Sequence, residues 1–348
     1  MADPVRITTE ARAAALTGGR ILLAHGGGGS AGDALLDDVF APFQAAAHPR
    51  QDAAALDGTG LFISTDAFVV TPVEFPGGSL GKLAVCGTVN DVAMAGARPR
   101  WLTAAFILEE GLDVDLLRRT VADMHTTARE AGVAIVAGDT KVVGRGAADN
   151  LFVVTTGVGE RLPGVDVGSH RARAGDIVLV SGTLGDHGLA VMAARAGLPL
   201  DPPIRSDCAA LNGLVGELAE AVGPHLRCLR DPTRGGLAAT LNEIAAESGV
   251  TICLREKDLP VGPTVRDACA LLGLDPLQAA NEGKMALVVD PAAAERALAV
   301  LQSNDLGRDA AIVGAVTEPS AGRVWLEGEF GGRRRLDLPR GELLPRIC

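Results

Sequence analysis

The segment Ser79–Ala95 reads Ser-Leu-Gly-Lys-Leu-Ala-Val-Cys-Gly-Thr-Val-Asn-Asp-Val-Ala-Met-Ala. The helix it would form is small-residued or apolar on nearly every face, so it must be buried all round. Asn90 and Asp91 nevertheless lie inside it. A carboxylate there has to be hydrogen-bonded, paired or bound to a cation, because an isolated buried charge costs several kcal/mol or more. Two solutions stay open: satisfaction by neighbouring backbone or an arginine such as Arg98, and coordination of a hard cation.

Strand-like runs surround this helix. Leu61–Ser64, Trp101–Leu108, Val133–Val136 and Leu151–Gly157 alternate with the helical stretches Ser79–Ala95 and Val114–Ala131. The Gly-, Pro- and charge-rich stretch Arg161–Gly175 breaks the pattern, which restarts at Asp176–Ser181. The second unit then runs through strands Arg227–Leu229, Val250–Leu254, Met285–Val289 and Ala310–Val316. Helices Gly235–Ser248, Thr264–Leu272 and Pro291–Ser303 separate them. The expectation is an α/β (α+β) chain with a glycine-rich segment and helix in 1–52, an N-terminal domain in 53–160, a C-terminal domain in 172–326 and a tail in 331–348. In the tail, Pro339, Gly341 and Pro345 oppose any regular element.

With 348 residues, 47% of them hydrophobic, the chain can bury two cores. A net charge of −11 opposes a nucleic-acid or anionic-membrane surface, since phosphate binding relies on Lys and Arg. Apolar runs such as Leu151–Val154 are too short to cross a bilayer and the N-terminus lacks a signal pattern, so a cytoplasmic protein is expected. Cys86, Cys208, Cys228, Cys253 and Cys269 form no C-x-x-C pair and read as small buried hydrophobes. The sixth cysteine, Cys348, is the last residue, at the end of a tail that reads as a carrier arm or a reactive end. Prenylation is excluded, because its acceptor cysteine is followed by three further residues.

Asp66, Asp139 and Asp231 each follow a strand-like run, where α/β folds place ligand sites. A single such aspartate serves as readily as a helix cap or turn residue. Taken with Asp91, the set points to Mg²⁺, which takes carboxylate oxygens together with substrate phosphates, and hence to a nucleotide. The run His25-Gly26-Gly27-Gly28-Gly29-Ser30 before a helical stretch Ala31–Phe43 could wrap phosphates, yet it is neither a P-loop nor G-x-G-x-x-G. Gly138-Asp139-Thr140-Lys141 sets an ammonium beside a candidate ligand, and Asn281-Glu282-Gly283-Lys284 sets a carboxylate before a strand. Each is also compatible with a solvated turn. Asp231-Pro232-Thr233-Arg234-Gly235-Gly236 is either an anion site or a helix cap, and His187 in Gly182–Gly188 could line a site or serve structure alone.

In this order the motifs resemble the HypE family of hydrogenase maturation proteins, within the superfamily of aminoimidazole ribonucleotide synthetase, selenophosphate synthetase and thiamine monophosphate kinase. The resemblance spans essentially the whole chain. It is carried by Ala24-His25-Gly26, Ser64-Thr65-Asp66, Phe75–Gly78, Gly81–Ala93, Phe106–Gly111, Gly138–Val143, Ser181–Gly188, Asp231–Gly236, Asn281–Lys284 and Pro345-Arg346-Ile347-Cys348. The terminal motif separates this family from the rest of the superfamily, whose substrates are free small molecules.

The resemblance implies that HypF attaches a carbamoyl group to Cys348, that ATP drives its dehydration to a thiocyanate, and that the cyanide passes through a HypC–HypD complex to a [NiFe]-hydrogenase iron. It implies Asp66, Asp91 and Asp139 as Mg²⁺ ligands, with Gly27, Gly28, Lys82, Asn90, Gly138, Thr140 and Asp231 as further nucleotide-site residues. Glu282 is implied as the base, with Lys141 beside it, and the protein as a homodimer whose N-terminal sheets close a barrel. Two competing readings are a superfamily kinase or synthetase acting on a small molecule, which leaves Cys348 without a role, and a non-catalytic docking protein.

Overall fold

The computed structural model describes residues 20–27, 29–40, 51–319, 322–338 and 346–348. After α1 (Ser30–Asp38), the chain enters a five-stranded sheet. Its strands are β1 (Ala54–Leu56), β2 (Leu61–Phe68), β5 (Ala97–Glu109), β6 (Ala134–Val143) and β7 (Leu151–Arg161), in the spatial order β1-β2-β7-β5-β6. A small hairpin, β3 (Glu74–Phe75) with β4 (Gly78–Ser79), leads into α2 (Leu80–Met94). The Ser79 side chain caps α2 by accepting the Lys82 N–H.

Of the 15 residues of α2, all but Lys82 and Asp91 are buried, as its all-round apolar surface requires. Close approach to the sheet depends on missing side chains. A Cβ at position 87 would stand 2.8 Å from the Phe68 ring, and one at position 157 would stand 2.7 Å from Thr88 Cγ2. The helix α3 (Val114–Ala131) connects the parallel pair β5 and β6 as a crossover. Its N-terminus is capped by the Asp113 side chain, 2.9 Å from the Asp115 N–H.

The second unit holds β8 (Ile177–Val180), α4 (Asp186–Ala196), α5 (Asn212–Val222), β9 (Leu226–Arg230), α6 (Gly236–Ser248), β10 (Val250–Arg255), α7 (Pro263–Leu272), β11 (Ala286–Val289), α8 (Ala294–Ser303), β12 (Ala311–Pro319), β13 (Arg323–Glu327) and β14 (Arg333–Arg335). Its sheet runs β14-β13-β10-β12-β8-β11-β9. Only β10–β13 is a parallel pair there, and only β5–β6 in the first sheet, so both sheets are mostly antiparallel and the architecture is α+β. Strand–helix alternation along the chain does not reveal this, because strand direction is set by which neighbours pair.

The expected strands and helices recur, most of the strands a few residues longer than expected. The tail differs: Arg333–Arg335, expected within it, pair with Leu326 and its neighbours as an edge strand, and Leu336 is fully buried. Three charged side chains hid a strand that stays exposed at a sheet edge, where charge is the usual occupant. Of the expected helix Ala31–Phe43, the part beyond residue 40 lies outside the described residues.

Candidate active site

Between the two sheets lies a cavity of about 590 Å³, lined by the glycine loop, β2, α2, the turn after β9, α6, Glu282 and Cys348. Its floor is acidic. Asp52, Asp91 and Asp231 each bring one carboxylate oxygen within 4.8 Å of the others. Burial, then the charges of Asp231 and Asp52, hold the Asp91 carboxyl well above the ordinary carboxylate range. Burial and then Asp52 push Asp231 up to about 8. Burial and like charge together disfavour ionisation of the cluster, a cost that a cation would offset, and three hard oxygen donors match Mg²⁺ in chemistry. Ser64 and Arg230 orient the set: the Ser64 hydroxyl donates to Asp91 Oδ2 at 2.6 Å, and the Arg230 guanidinium lies 2.9 Å from Asp52 Oδ2 and 2.8 Å from Glu243 Oε2.

Asp66 lines the same cavity, its Oδ1 accepting the Ala67 N–H at 2.7 Å, but it is not part of the three-oxygen cluster. Asp52 takes that place. It sits at the edge of the first unit with no strand before it, and no motif in the sequence singled it out. Its ion pair with Arg230, on the last residue of β9, is what carries it into the site.

His25, Gly26, Gly29 and Gly32 form the cavity's lip, and Arg234 ties them to the second unit by donating to the Gly26 carbonyl at 3.1 Å. Gly27 belongs to the same loop, and Gly28 lies outside the described residues. Gly29 (φ 96°) turns the chain into α1 in a conformation that favours glycine.

Glu282 is 2% exposed, and its Oε1 has no hydrogen-bond partner among the described residues. Burial, followed by the charges of Asp231, Asp207 and Asp66, raises its pKa well above the ordinary glutamate range. Its backbone is held rigidly. Asn281 accepts from Gly185 N at 2.8 Å and donates to the Pro232 carbonyl at 3.0 Å, and Glu282 N–H donates to Asp207 Oδ1 at 3.0 Å. A Cβ at position 283 would lie 1.9 Å from the Asp207 carbonyl oxygen, so only glycine lets this loop pack there.

The chain's end reaches the same cavity. Cys348 lines it, and Ile347 is buried in the N-terminal core beside it. Arg234 is raised above its ordinary pKa, chiefly by attraction to Cys348.

Other candidates sit elsewhere in the single chain. Asp139 and Lys141 form an ion pair at 2.9 Å on β6, where Gly138 and Thr140 are exposed with them on the sheet edge. Lys141 and the Thr140 backbone hold Asp139 below the ordinary carboxylate range. Asn90 is spent on structure: its Nδ2 donates to the Ala209 carbonyl at 3.1 Å and its Oδ1 accepts from Leu211 N at 2.8 Å, joining α2 to the second unit. Lys82 Nζ donates to the Gly77 carbonyl at 3.4 Å.

The AIR synthase related protein N-terminal domain matches residues 50–161, and the AIR synthase related protein C-terminal domain matches residues 173–327. A carbamoyl dehydratase HypE of Rhodobacter capsulatus is 50% identical over 340 residues, covering 96% of this chain and 100% of the relative. A crystal structure of a HypE–HypF complex contains a chain that matches with a TM-score of 0.83 and 48% identity, over 88% of this chain and 99% of that one. A crystal structure of HypE in complex with ATP matches with a TM-score of 0.80 and 49% identity, over 94% of this chain and 100% of that one. The chain thus belongs to the HypE family of carbamoyl dehydratases, on the two-domain frame of the AIR synthase related proteins.

Proposed function

We propose that this protein uses ATP to dehydrate a carbamoyl group carried on its own Cys348 thiol, giving a thiocyanate for hydrogenase maturation. The observation that carries the reading is the convergence of Cys348, Glu282 and the acidic cluster on one cavity. Hydroxide is a poor leaving group, since water has a pKa of about 15.7, whereas phosphate leaves with a relevant pKa of about 6. The amide oxygen therefore attacks the γ-phosphorus of ATP and expels ADP, the nitrogen gives up its two protons, and inorganic phosphate departs as the C≡N bond forms. Glu282 is placed to take the protons: a carboxylate with a raised pKa is the stronger base once ionised. Mg²⁺ held by Asp52, Asp91 and Asp231, with Asp66 beside them, would offset phosphate charge. Arg234 supplies a fixed positive charge to the same space.

The HypE relative crystallised with HypF supports HypF as the carbamoyl donor, and a HypC–HypD complex is the expected cyanide acceptor. We further infer that the protein is a homodimer in which β6 meets its counterpart to close a barrel. β6 is a sheet edge exposed along nearly its full length, with Ile135, Val136 and Val142 bare. In that assembly Asp139 and Lys141 serve the partner's cavity, which accounts for their distance from this chain's own. Among the described residues no helix is long and apolar enough to cross a membrane.

The test is the intact mass of the C-terminal peptide of S-carbamoylated protein before and after Mg-ATP, with Cys348→Ala and Glu282→Ala as controls. Loss of one water at Cys348 that needs ATP and Glu282 supports the reading. An unchanged carbamoyl mass in protein that binds ATP refutes it.

A further inference from the structure

The last three residues are bonded at every peptide unit. Val69 N–H donates to a terminal oxygen of Cys348 at 3.1 Å, and Thr71 N–H donates to the Arg346 carbonyl at 3.2 Å. Alternate amides thus bind alternate tail residues, as they would an added strand. Arg195, on α4, bridges the two segments by donating to the Thr71 carbonyl at 2.8 Å and to the Arg346 carbonyl at 2.6 Å.

The remaining carbonyl, that of Ile347, lies 2.6 Å from His187 Nε2. A carbonyl only accepts, so Nε2 carries the proton, and Nδ1 accepts the Ser206 hydroxyl at 2.8 Å. Ser206 Oγ in turn accepts from Cys208 N at 3.1 Å, while the Phe75 ring meets the imidazole edge to face at 5.5 Å. The tautomer and orientation of a fully buried histidine are therefore set for one task, receiving the Ile347 carbonyl.

The side chains are read as well. Arg346 forms an ion pair with Asp149 and donates Nε to the Val69 carbonyl at 3.2 Å. Ile347, 5% exposed, fills a niche in the cluster containing Phe68, Val70, Phe75 and Val191.

We propose that His187, Arg195 and Asp149, with the 69–71 backbone, form a recognition site for a C-terminal tripeptide of the pattern cation, bulky aliphatic, cysteine. The site selects the tail by its sequence and delivers its thiol to the Glu282 cavity. His187 and Arg195 are positioning residues: they touch the tail backbone and not the reacting atoms. Delivery for dehydration rests on the function proposed above, whereas docking itself does not.

The test measures, in the full-length protein, the rate at which iodoacetamide alkylates Cys348, read on the C-terminal peptide, alongside single-turnover dehydration of the S-carbamoylated form. Arg346→Ala and Ile347→Ser leave the body of the fold untouched. Losing a part-exposed ion pair should speed alkylation about fivefold, and losing the buried aliphatic side chain should speed it tenfold or more. Dehydration should slow in step. Asp149→Arg should mimic Arg346→Ala, and Asp149→Arg combined with Arg346→Asp should recover most of the protection. His187→Gln, which keeps an N–H for the Ile347 carbonyl, should protect better than His187→Leu.

Equal alkylation in wild type, Arg346→Ala and Ile347→Ser overturns the proposal, as does failure of the charge exchange to restore protection. Alkylation that follows the predicted order in a protein that never dehydrates its carbamoyl group leaves the docking site standing and removes the catalytic reading.

Discussion

Ser64 donates its hydroxyl to Asp91 Oδ2 across 2.6 Å, so a strand of the first sheet orients the carboxylate buried in α2. The hydrogen bond favours the ionised carboxylate against burial and like charge. Ser64→Ala should leave the protein folded while weakening Mg-ATP binding roughly tenfold, the equivalent of one hydrogen bond to a charged group at about 1.5 kcal/mol. Titration calorimetry with Mg-ATP checks this, and unchanged affinity would place the cation elsewhere.

Glu282→Gln keeps the shape of a side chain enclosed on every side and removes its basicity. Single-turnover dehydration should fall by about 10²- to 10⁴-fold, the usual contribution of a general base. Mg-ATP affinity should stay within about twofold, since the phosphate-binding groups are other residues. Comparing the two measurements separates a role in chemistry from one in binding.

Asp139 and Lys141 lie on an exposed edge strand, so a site that needs them in trans can be rebuilt from two inactive chains. Mixing Asp139→Ala with Glu282→Gln after subunit exchange should restore about a quarter of wild-type activity, because half the dimers are mixed and each has one intact site. No recovery in verified mixed dimers would mean that Asp139 acts on its own chain or not at all.

His187 supplies a pH dependence. Burial, the largest cause, lowers its pKa below the ordinary 6.5, opposed by attraction to Asp207 and by the bond to Ile347. The folded state then binds fewer protons than the unfolded state below pH 6.5, so the stability His187 contributes is present above that pH and declines as pH falls through the folded value. Thermal unfolding of wild type and His187→Gln across this range should show the wild type losing more stability on acidification. Parallel curves would contradict the assignment.

Gly87→Ala sets a methyl group 2.8 Å from the Phe68 ring between α2 and β2. Destabilisation of about 1–3 kcal/mol is expected from overpacking, read as a lower denaturation midpoint in urea.

The glycines and small residues of Ser79–Ala95 announced a helix buried all round, and that reading holds at every position but Lys82 and Asp91, because a helix without a polar face has only one environment open to it. The same logic required Asp91 to be hydrogen-bonded, paired or bound to a cation, and the Ser64 hydroxyl does bond it. Asp52 was invisible to it, since a lone aspartate ahead of a short strand resembles any turn residue. Its significance comes from Arg230, 178 positions onward in the numbering, which draws it beside Asp91 and Asp231. Asn90 sits next to Asp91 in sequence, but on a helix adjacent residues face different ways, and its side chain meets the 209–211 backbone.

The two units, their elements, the acidic and glycine-rich motifs and the cysteine at position 348 were legible in the residues alone, because periodicity and residue type are local properties. Only the folded chain brings Asp52, Asp91 and Asp231 together, leaves β6 bare at the sheet edge and lays Arg346-Ile347-Cys348 against 69–71 with Cys348 lining the cavity. Each of these depends on contacts between residues far apart in the chain, and no local pattern encodes such a meeting.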